Sequence, residues 1–258
     1  MDYDGTEQRQ LTRNNSLSLT PAVSPSGDMF AFTSYSVDSR GRDVDPQIAV
    51  FSSRTSRRLT FINPLSSLVA TPEFAPDGKH LFFAASFEGG GGQLCVSTAQ
   101  GADFQQITRN QAIESSPKIN PRNDQEMIFI SSRSGREQLW RSNIDGSDAE
   151  MLTDGRQYVA NPSWSPDGRF VAYAATGGYE PGSYSIFIMD IAKRQPIQLT
   201  HGDRSESPTW ALDGLHIVFS SKRGASTQIY SMLADDTHVK RLTTEGNNTQ
   251  PVWAHAVE

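Results

Sequence analysis

A chain of 258 residues with 36% hydrophobic and 9% aromatic residues holds enough apolar material for one large domain, and is too rich in aromatics to be disordered. No run approaches the roughly 18–20 apolar residues of a membrane helix, and a formal charge of -6 without a basic stripe sets aside nucleic acid and anionic membranes as partners. The single cysteine, Cys95, excludes an internal disulfide framework.

A repeat organises the chain. The pair Leu-Thr, once Ile-Thr, begins at Leu11, Leu59, Ile107, Leu152, Leu199 and Leu242. A proline follows each pair, at Pro21, Pro72, Pro117, Pro162, Pro208 and Pro251. Two residues on stands a large apolar side chain: Val23, Phe74, Ile119, Trp164, Trp210 and Trp253. A turn comes next, as at Ser26-Gly27, Asp77-Gly78, Asn123-Asp124, Asp167-Gly168 and Asp213-Gly214. Matches in phase at a period near 45 mark an array of one supersecondary unit.

In chain order, each turn leads into a β-branched or aromatic run: Met29–Phe32, Leu81–Phe83, Met127–Ile130, Phe170–Tyr173 and Ile217–Phe219. A second run follows: Gln47–Val50, Gln93–Val96, Gln138–Trp140, Ile186–Met189 and Gln228–Tyr230. Then comes a turn such as Asp145-Gly146 and the strand that ends in Leu-Thr. Short runs bounded by Gly, Pro, Asp and Asn are strands. Each unit is thus four antiparallel strands, named a to d with a at the proline. Such a sheet cannot bury both faces alone, whereas a closed ring of them covers faces and protects edges. The expected fold is all-β: a six-bladed β-propeller of four-stranded antiparallel blades, one domain over residues 1–258.

The sixth unit supplies only strand a, near Gln250 to Ala254, before the chain stops. Met1 to Gly5 reads as the tail of strand c and Glu7 to Thr12 as strand d. Both ends are therefore expected to share the last blade, which is left incomplete. This predicts an excerpt lacking part of that blade and an upstream domain. The five N-terminal residues have neither the basic region nor the apolar core of a secretion signal.

The run Leu152 to Gly168, with Pro162-Ser163-Trp164-Ser165-Pro166-Asp167-Gly168, resembles the PD40 β-propeller repeat. The arrangement, from Asp2-Tyr3-Asp4-Gly5 and Arg9-Gln10-Leu11-Thr12 to Pro251-Val252-Trp253, is similar to the C-terminal propellers of the TolB family over the whole chain. Two repeats depart from the pattern, with Asn120 to Asp124 and Ala211 to Gly214 in place of Ser-Pro-Asp-Gly. The resemblance implies a non-enzymatic, periplasmic protein of the Tol-Pal system, binding the peptidoglycan-associated lipoprotein Pal and supporting outer-membrane integrity and cell division. PD40 repeats also form the gating propellers of prolyl-oligopeptidase-like hydrolases and some carbohydrate-active propeller enzymes, which are the alternatives.

Chemistry-bearing motifs are sparse. There is no Gly-x-Ser-x-Gly, His-Glu-x-x-His or phosphate-binding glycine loop, so no catalytic residue, metal or cofactor is expected. His80 and His216 share one repeat position and read as structural. Asp77, Asp167 and Asp213 read as turn formers. Gly89 to Gly92 reads as a flexible hairpin loop. Trp164, Trp210 and Trp253 read as core between blades, and Cys95 as a small buried hydrophobe.

Strand order puts the d–a and b–c connections on one face, where the loops vary. Tyr35 to Pro46 is expected to be a long charged excursion there, and Phe61 to Ala70 a long apolar one. Loops on a rigid scaffold are where binding concentrates. The residues around the repeat prolines are expected to line the channel mouth as a polar, mildly acidic ring with an apolar shoulder. The candidate contacts are Leu68, Ala70, Thr71, Glu114, Ser115, Ser116, Asn161, His201, Glu206, Ser207, Asn248 and Thr249. Hydroxyls and amides beside apolar side chains suit docking of a protein, a Pal-like lipoprotein, by a monomer.

Overall fold

The computed structural model describes residues 5, 6, 8, 10–12, 17–63, 68–87, 90–176, 183–202 and 204–254. Their strands fall into five four-stranded antiparallel sheets. Blade 1 comprises β1 (Ser18–Val23), β2 (Met29–Val37), β3 (Asp43–Ser52) and β4 (Arg58–Ile62). Blade 2 comprises β5 (Leu68–Phe74), β6 (His80–Ser86), β7 (Gly92–Thr98) and β8 (Gln105–Gln106). Blade 3 has β9 (Glu114–Asn120), β10 (Asn123–Ser131), β11 (Gln138–Asn143) and β12 (Glu150–Met151). Blade 4 has β13 (Val159–Trp164), β14 (Phe170–Thr176), β15 (Tyr184–Asp190) and β16 (Gln195–Gln198). Blade 5 has β17 (Arg204–Trp210), β18 (His216–Lys222), β19 (Gln228–Leu233) and β20 (Lys240–Arg241). Each sheet runs a-b-c-d in sequence order, and the a strands β1, β5, β9, β13 and β17 pack one against the next around the axis.

The core lies between blades. Ala31, Ile48 and Val50 of blade 1 meet Phe74, Leu81, Phe83 and Cys95 of blade 2. Ile128, Ile130 and Leu139 of blade 3 meet Trp164, Val171 and Tyr173 of blade 4. Trp210, Phe219 and Tyr230 face Ala174, Ile186 and Ile188 in the same way. Strands b and c therefore read as continuous apolar runs, because both their faces are covered. Cys95 is fully buried, and burial pushes its thiol up to about 12.

The count of blades differs from the expectation of six. Among the described residues five sheets form, and the stretches around Leu11 and Trp253 carry no ladder hydrogen bonds. Both ends nonetheless pack on blades 5 and 1. A Cβ on Gly5 would strike the carbonyl of Leu242, as one on Gly146 would crowd Ile107 and one on Gly101 would touch Ile62. Trp253 packs on Val218, Ile229 and Leu242. Leu11 and Thr12 line a cavity of about 890 Å³ against Phe32, Ala49 and Phe51 of blade 1. Met1 to Asp4, Glu7 and Arg9 lie outside the described residues.

The repeat phase also needs one correction. Leu152, Leu199 and Leu242 are buried and donate their N–H to Leu139, Ile186 and Ile229. In blade 1 the residue opposite Ile48 is Ile62, which is buried, whereas Leu59 is 52% exposed. Leu59 falls at the register shift of β4 on β3, between the Val50–Thr60 and Phe51–Arg58 pairs, and not opposite Ile48.

Candidate functional site: the mouth of the channel

Strand a bends at one residue in every repeat. Thr20, Thr71, Ser116, Asn161, Ser207 and Gln250, each preceding the repeat proline, have φ between 50° and 53°. At this point in all five sheets strand a carries one residue more than strand b, a β-bulge. Proline explains the place: it has no N–H for the ladder, so an inner edge or a bulge is where it fits. The left-handed conformation is uncommon for non-glycine residues, and for the β-branched Thr20 and Thr71 it stores strain.

Bonds from neighbouring blades hold these bends. The Thr71 hydroxyl accepts the Ser116 N–H at 3.1 Å, and the Gln250 side-chain carbonyl accepts the Thr20 N–H at 2.6 Å. The second of these bonds joins the last repeat to the first. Beyond the proline, Lys118 Nζ meets Glu73 Oε2 at 2.5 Å, Thr209 donates to the Pro251 carbonyl at 2.9 Å, and the Ser163 hydroxyl accepts the Trp210 N–H at 3.3 Å. The channel wall thus directs these polar groups across blade boundaries.

The d–a loops are latched from below. Gln93, Gln138 and Gln228 open strand c and are buried. Their amides donate to the carbonyls of Ala112, Gln157 and Gly246. Their side-chain carbonyls accept from the Asn110 N–H, the Gly155 N–H and the Asn248 amide respectively. Thr108, Thr153, Thr200 and Thr243 accept the N–H of Leu94, Leu139, Ile186 and Ile229. A buried polar side chain satisfied at both ends fixes the loop it touches.

The candidate contacts do not all reach the surface. Leu68 is 39% exposed at the start of β5; His201 and Thr249 are exposed; Ala70, Thr71, Ser115, Ser116, Asn161, Glu206, Ser207 and Asn248 are half-buried around the bends. Glu114 is fully buried and is corrected to an internal role. Its Oε1 accepts from Asn110, Ser131 and Arg133 Nε at 3.0, 3.0 and 2.7 Å, and its Oε2 from the other arm of Arg133 at 3.0 Å. That carboxylate is spent on Arg133 of the b–c loop and adds no exposed acid to the mouth, where Glu206 stays half-buried. Arg204 and Lys222 stand exposed on its fifth-blade side instead.

The Tyr35 to Pro46 excursion is also corrected, because β2 and β3 continue through it. Ser36 pairs with Val44 and Val37 with Asp43, and Asp38 closes the turn by accepting the N–H of Arg40 and Arg42. Gly91 and Gly92 of the glycine run are packed rather than loose. A Cβ at Gly91 would meet the Ala112 carbonyl at 2.8 Å, so glycine lets two loops touch. Gly89, Leu65 and Asp203 lie outside the described residues.

The motifs read as structural behave so. Asp77 and Asp213 accept the Nδ1 of His80 and His216 at 2.6 and 2.7 Å, and Gly78, Gly168 and Gly214 have φ between 65° and 69°. Trp164 and Trp210 are buried between blades, the Trp164 indole donating to the Lys118 carbonyl at 3.0 Å.

Comparison with known proteins agrees with this geometry. The family model described as the TolB beta propeller domain, PD40, matches residues 1–180. The Tol-Pal system protein TolB of Francisella tularensis subsp. mediasiatica is 34% identical across 98% of this chain, which spans 58% of that relative's length. The crystal structure of TolB from Acinetobacter baumannii superposes with a TM-score of 0.83 at 23% identity, over 97% of this chain and 60% of that one. A puromycin-hydrolyzing peptidase of Mycobacterium tuberculosis shares the fold at a TM-score of 0.63 and 12% identity, over 88% of this chain and 38% of its own. With PD40 matched over more than half its length, on blades whose repeats bend at the same residue six times, the chain belongs to the TolB beta-propeller family.

Proposed function

We propose that residues 1–258 form one non-enzymatic docking propeller that works in the periplasm as part of the Tol-Pal system. Its partner is a Pal-like peptidoglycan-associated lipoprotein, held at the face of the d–a and b–c connections in support of outer-membrane integrity and cell division. The observation that carries this reading is the contrast at the mouth. The backbone there is repeated six times at one left-handed geometry, while the side chains on it differ: Thr20, Thr71, Ser116, Asn161, Ser207 and Gln250. A fixed frame with individual side chains suits recognition of an asymmetric protein surface. The names of the Francisella and Acinetobacter relatives support the same assignment.

Titration calorimetry of this chain with the soluble domain of Pal from the same organism tests it. Leu68→Asp and Thr249→Asp should each weaken binding about tenfold or more, with a thermal midpoint within about 2 °C of the parent, because both positions are open to water. Thr71 is a poorer probe, since its hydroxyl holds the Ser116 amide. Absence of binding, or binding untouched by both changes, overturns the assignment.

A further inference from the structure

The chain holds three Asn-x-Ser/Thr triplets: Asn14-Asn15-Ser16, Asn161-Pro162-Ser163 and Asn247-Asn248-Thr249. Such a triplet is the acceptor pattern for N-linked glycans, which are attached to surface loops of exported proteins. Asn14 to Ser16 lie outside the described residues. The second triplet is barred twice. Pro162 fixes the backbone at its centre, and Ser163 is buried with its hydroxyl accepting the Trp210 N–H.

The third triplet stands open. It lies in the d–a loop after β20, in a stretch without ladder pairing, and Asn247 and Thr249 are both exposed. The Asn247 side-chain carbonyl accepts the Thr227 N–H at 3.0 Å, while its Nδ2 and the Thr249 hydroxyl have no partner among the described residues. The atom that would carry a sugar is therefore not committed to the fold. Two residues earlier Glu245 is exposed and forms no ion pair among the described residues. Gly246 between them is left-handed, with no atom within 4 Å of where its Cβ would stand, so the bend is clear of the blade. A lone carboxylate at a set spacing from the acceptor offers an enzyme's cationic groove a second handle beside the triplet.

The middle residue holds the loop down. The Asn248 amide donates to Gln228 Oε1 at 3.1 Å and to the Glu245 carbonyl at 2.6 Å, and its N–H donates to the Thr227 carbonyl at 2.9 Å. The acceptor pattern leaves the identity of position 248 open, so the latch and the pattern can be separated by substitution.

We propose that Asn247 is an N-glycan acceptor, read by a membrane oligosaccharyltransferase through Thr249 and Glu245 and presented by a loop whose release Asn248 restrains. In the step, Asn247 Nδ2 bonds to the anomeric carbon of an oligosaccharide carried on a lipid diphosphate. The bond from that carbon to the diphosphate oxygen breaks, the lipid diphosphate leaves with the electron pair, and the amide proton passes to a base of the transferase. The inference rests on the periplasmic reading of the chain and adds a covalent site to it.

The test incubates the purified, folded chain with a bacterial oligosaccharyltransferase and a polyprenyl-diphosphate-linked oligosaccharide whose first sugar is N-acetylglucosamine. Intact mass and peptide mapping read the product. The chain should gain one glycan, at Asn247. N247Q and T249V should gain none, and E245Q should react at least about tenfold more slowly, as loss of a charge-assisted contact implies. N248A keeps the triplet, cuts the latch and should react faster than the parent. No addition to the folded chain, addition at another asparagine in place of Asn247, a T249V or E245Q variant that reacts like the parent, or an N248A variant no faster than it overturns the proposal. The purified reaction needs neither Pal nor a periplasm. Its failure therefore counts against this site alone, and calorimetry with Pal on the unmodified chain reads the docking assignment separately.

Discussion

Glu114 shows how much one side chain can decide. It opens β9 and is wholly removed from water, with four hydrogen bonds converging on its two oxygens. Its partner Arg133 also lies within cation–π range of Phe129 and Trp140, at 5.5 and 5.4 Å. Glu114→Ala would strand a partly buried guanidinium and the two further donors Asn110 and Ser131, costing about 3 kcal/mol or more, since breaking a buried pair leaves its mate uncompensated. Urea titration at neutral pH measures this; a loss under about 0.5 kcal/mol would contradict the geometry. The charge of Glu114 was legible in the sequence but its burial was not. The arginine that neutralises it lies nineteen residues on, across a b–c loop whose path depends on strand pairing.

The turns were the most legible elements, because their chemistry is local. Asp-Gly and Ser-Gly pairs close the a–b turns, and each aspartate accepts hydrogen bonds from groups two or three residues away. The hydroxyls of Ser26 and Ser24 hold the Asp28 carboxyl below its ordinary range, and that of Ser165 does the same for Asp167. At Asp77 and Asp213 burial pushes upward, but the neighbouring histidine and the turn amides outweigh it and the net direction is down. Folded values below the unfolded one, near 3.9, mean stability present above about pH 4 and lost as pH falls through the folded values. Urea midpoints should therefore drop steeply between about pH 4 and pH 2, and the D167N/D213N double variant should show a shallower drop. Identical slopes would mean that these carboxylates do not steer acid unfolding. Strand d was less legible. Leu59-Thr60 matches the motif, yet Ile62 fills the core position, because a register shift inside the sheet leaves no mark on residue types.

For the molecule as a whole, the period carried the blade architecture, but neither the number of complete sheets nor a blade shared by the two ends. Position 250 shares its backbone geometry with five earlier residues, and its side chain reaches the first blade. A ladder needs paired strands as well as matching residues, and around Trp253 the described residues form none. Trp253 is then the main apolar contact of the last repeat on blade 5. Trp253→Ala should cost about 2–4 kcal/mol and speed amide exchange in β1 and β17–β20 ahead of blades 2 to 4. Uniform exchange across all blades would show that the junction carries no special share of the stability.

The bond between Gln250 and the Thr20 amide has a mechanical side. It is a clasp, and it lies where a guest would settle. A visitor competing for that amide would unfasten the belt at its buckle, while one that leaves it alone would cinch the circumference. On the proposed docking reading, occupancy of the mouth and girth of the wheel would be coupled through this glutamine.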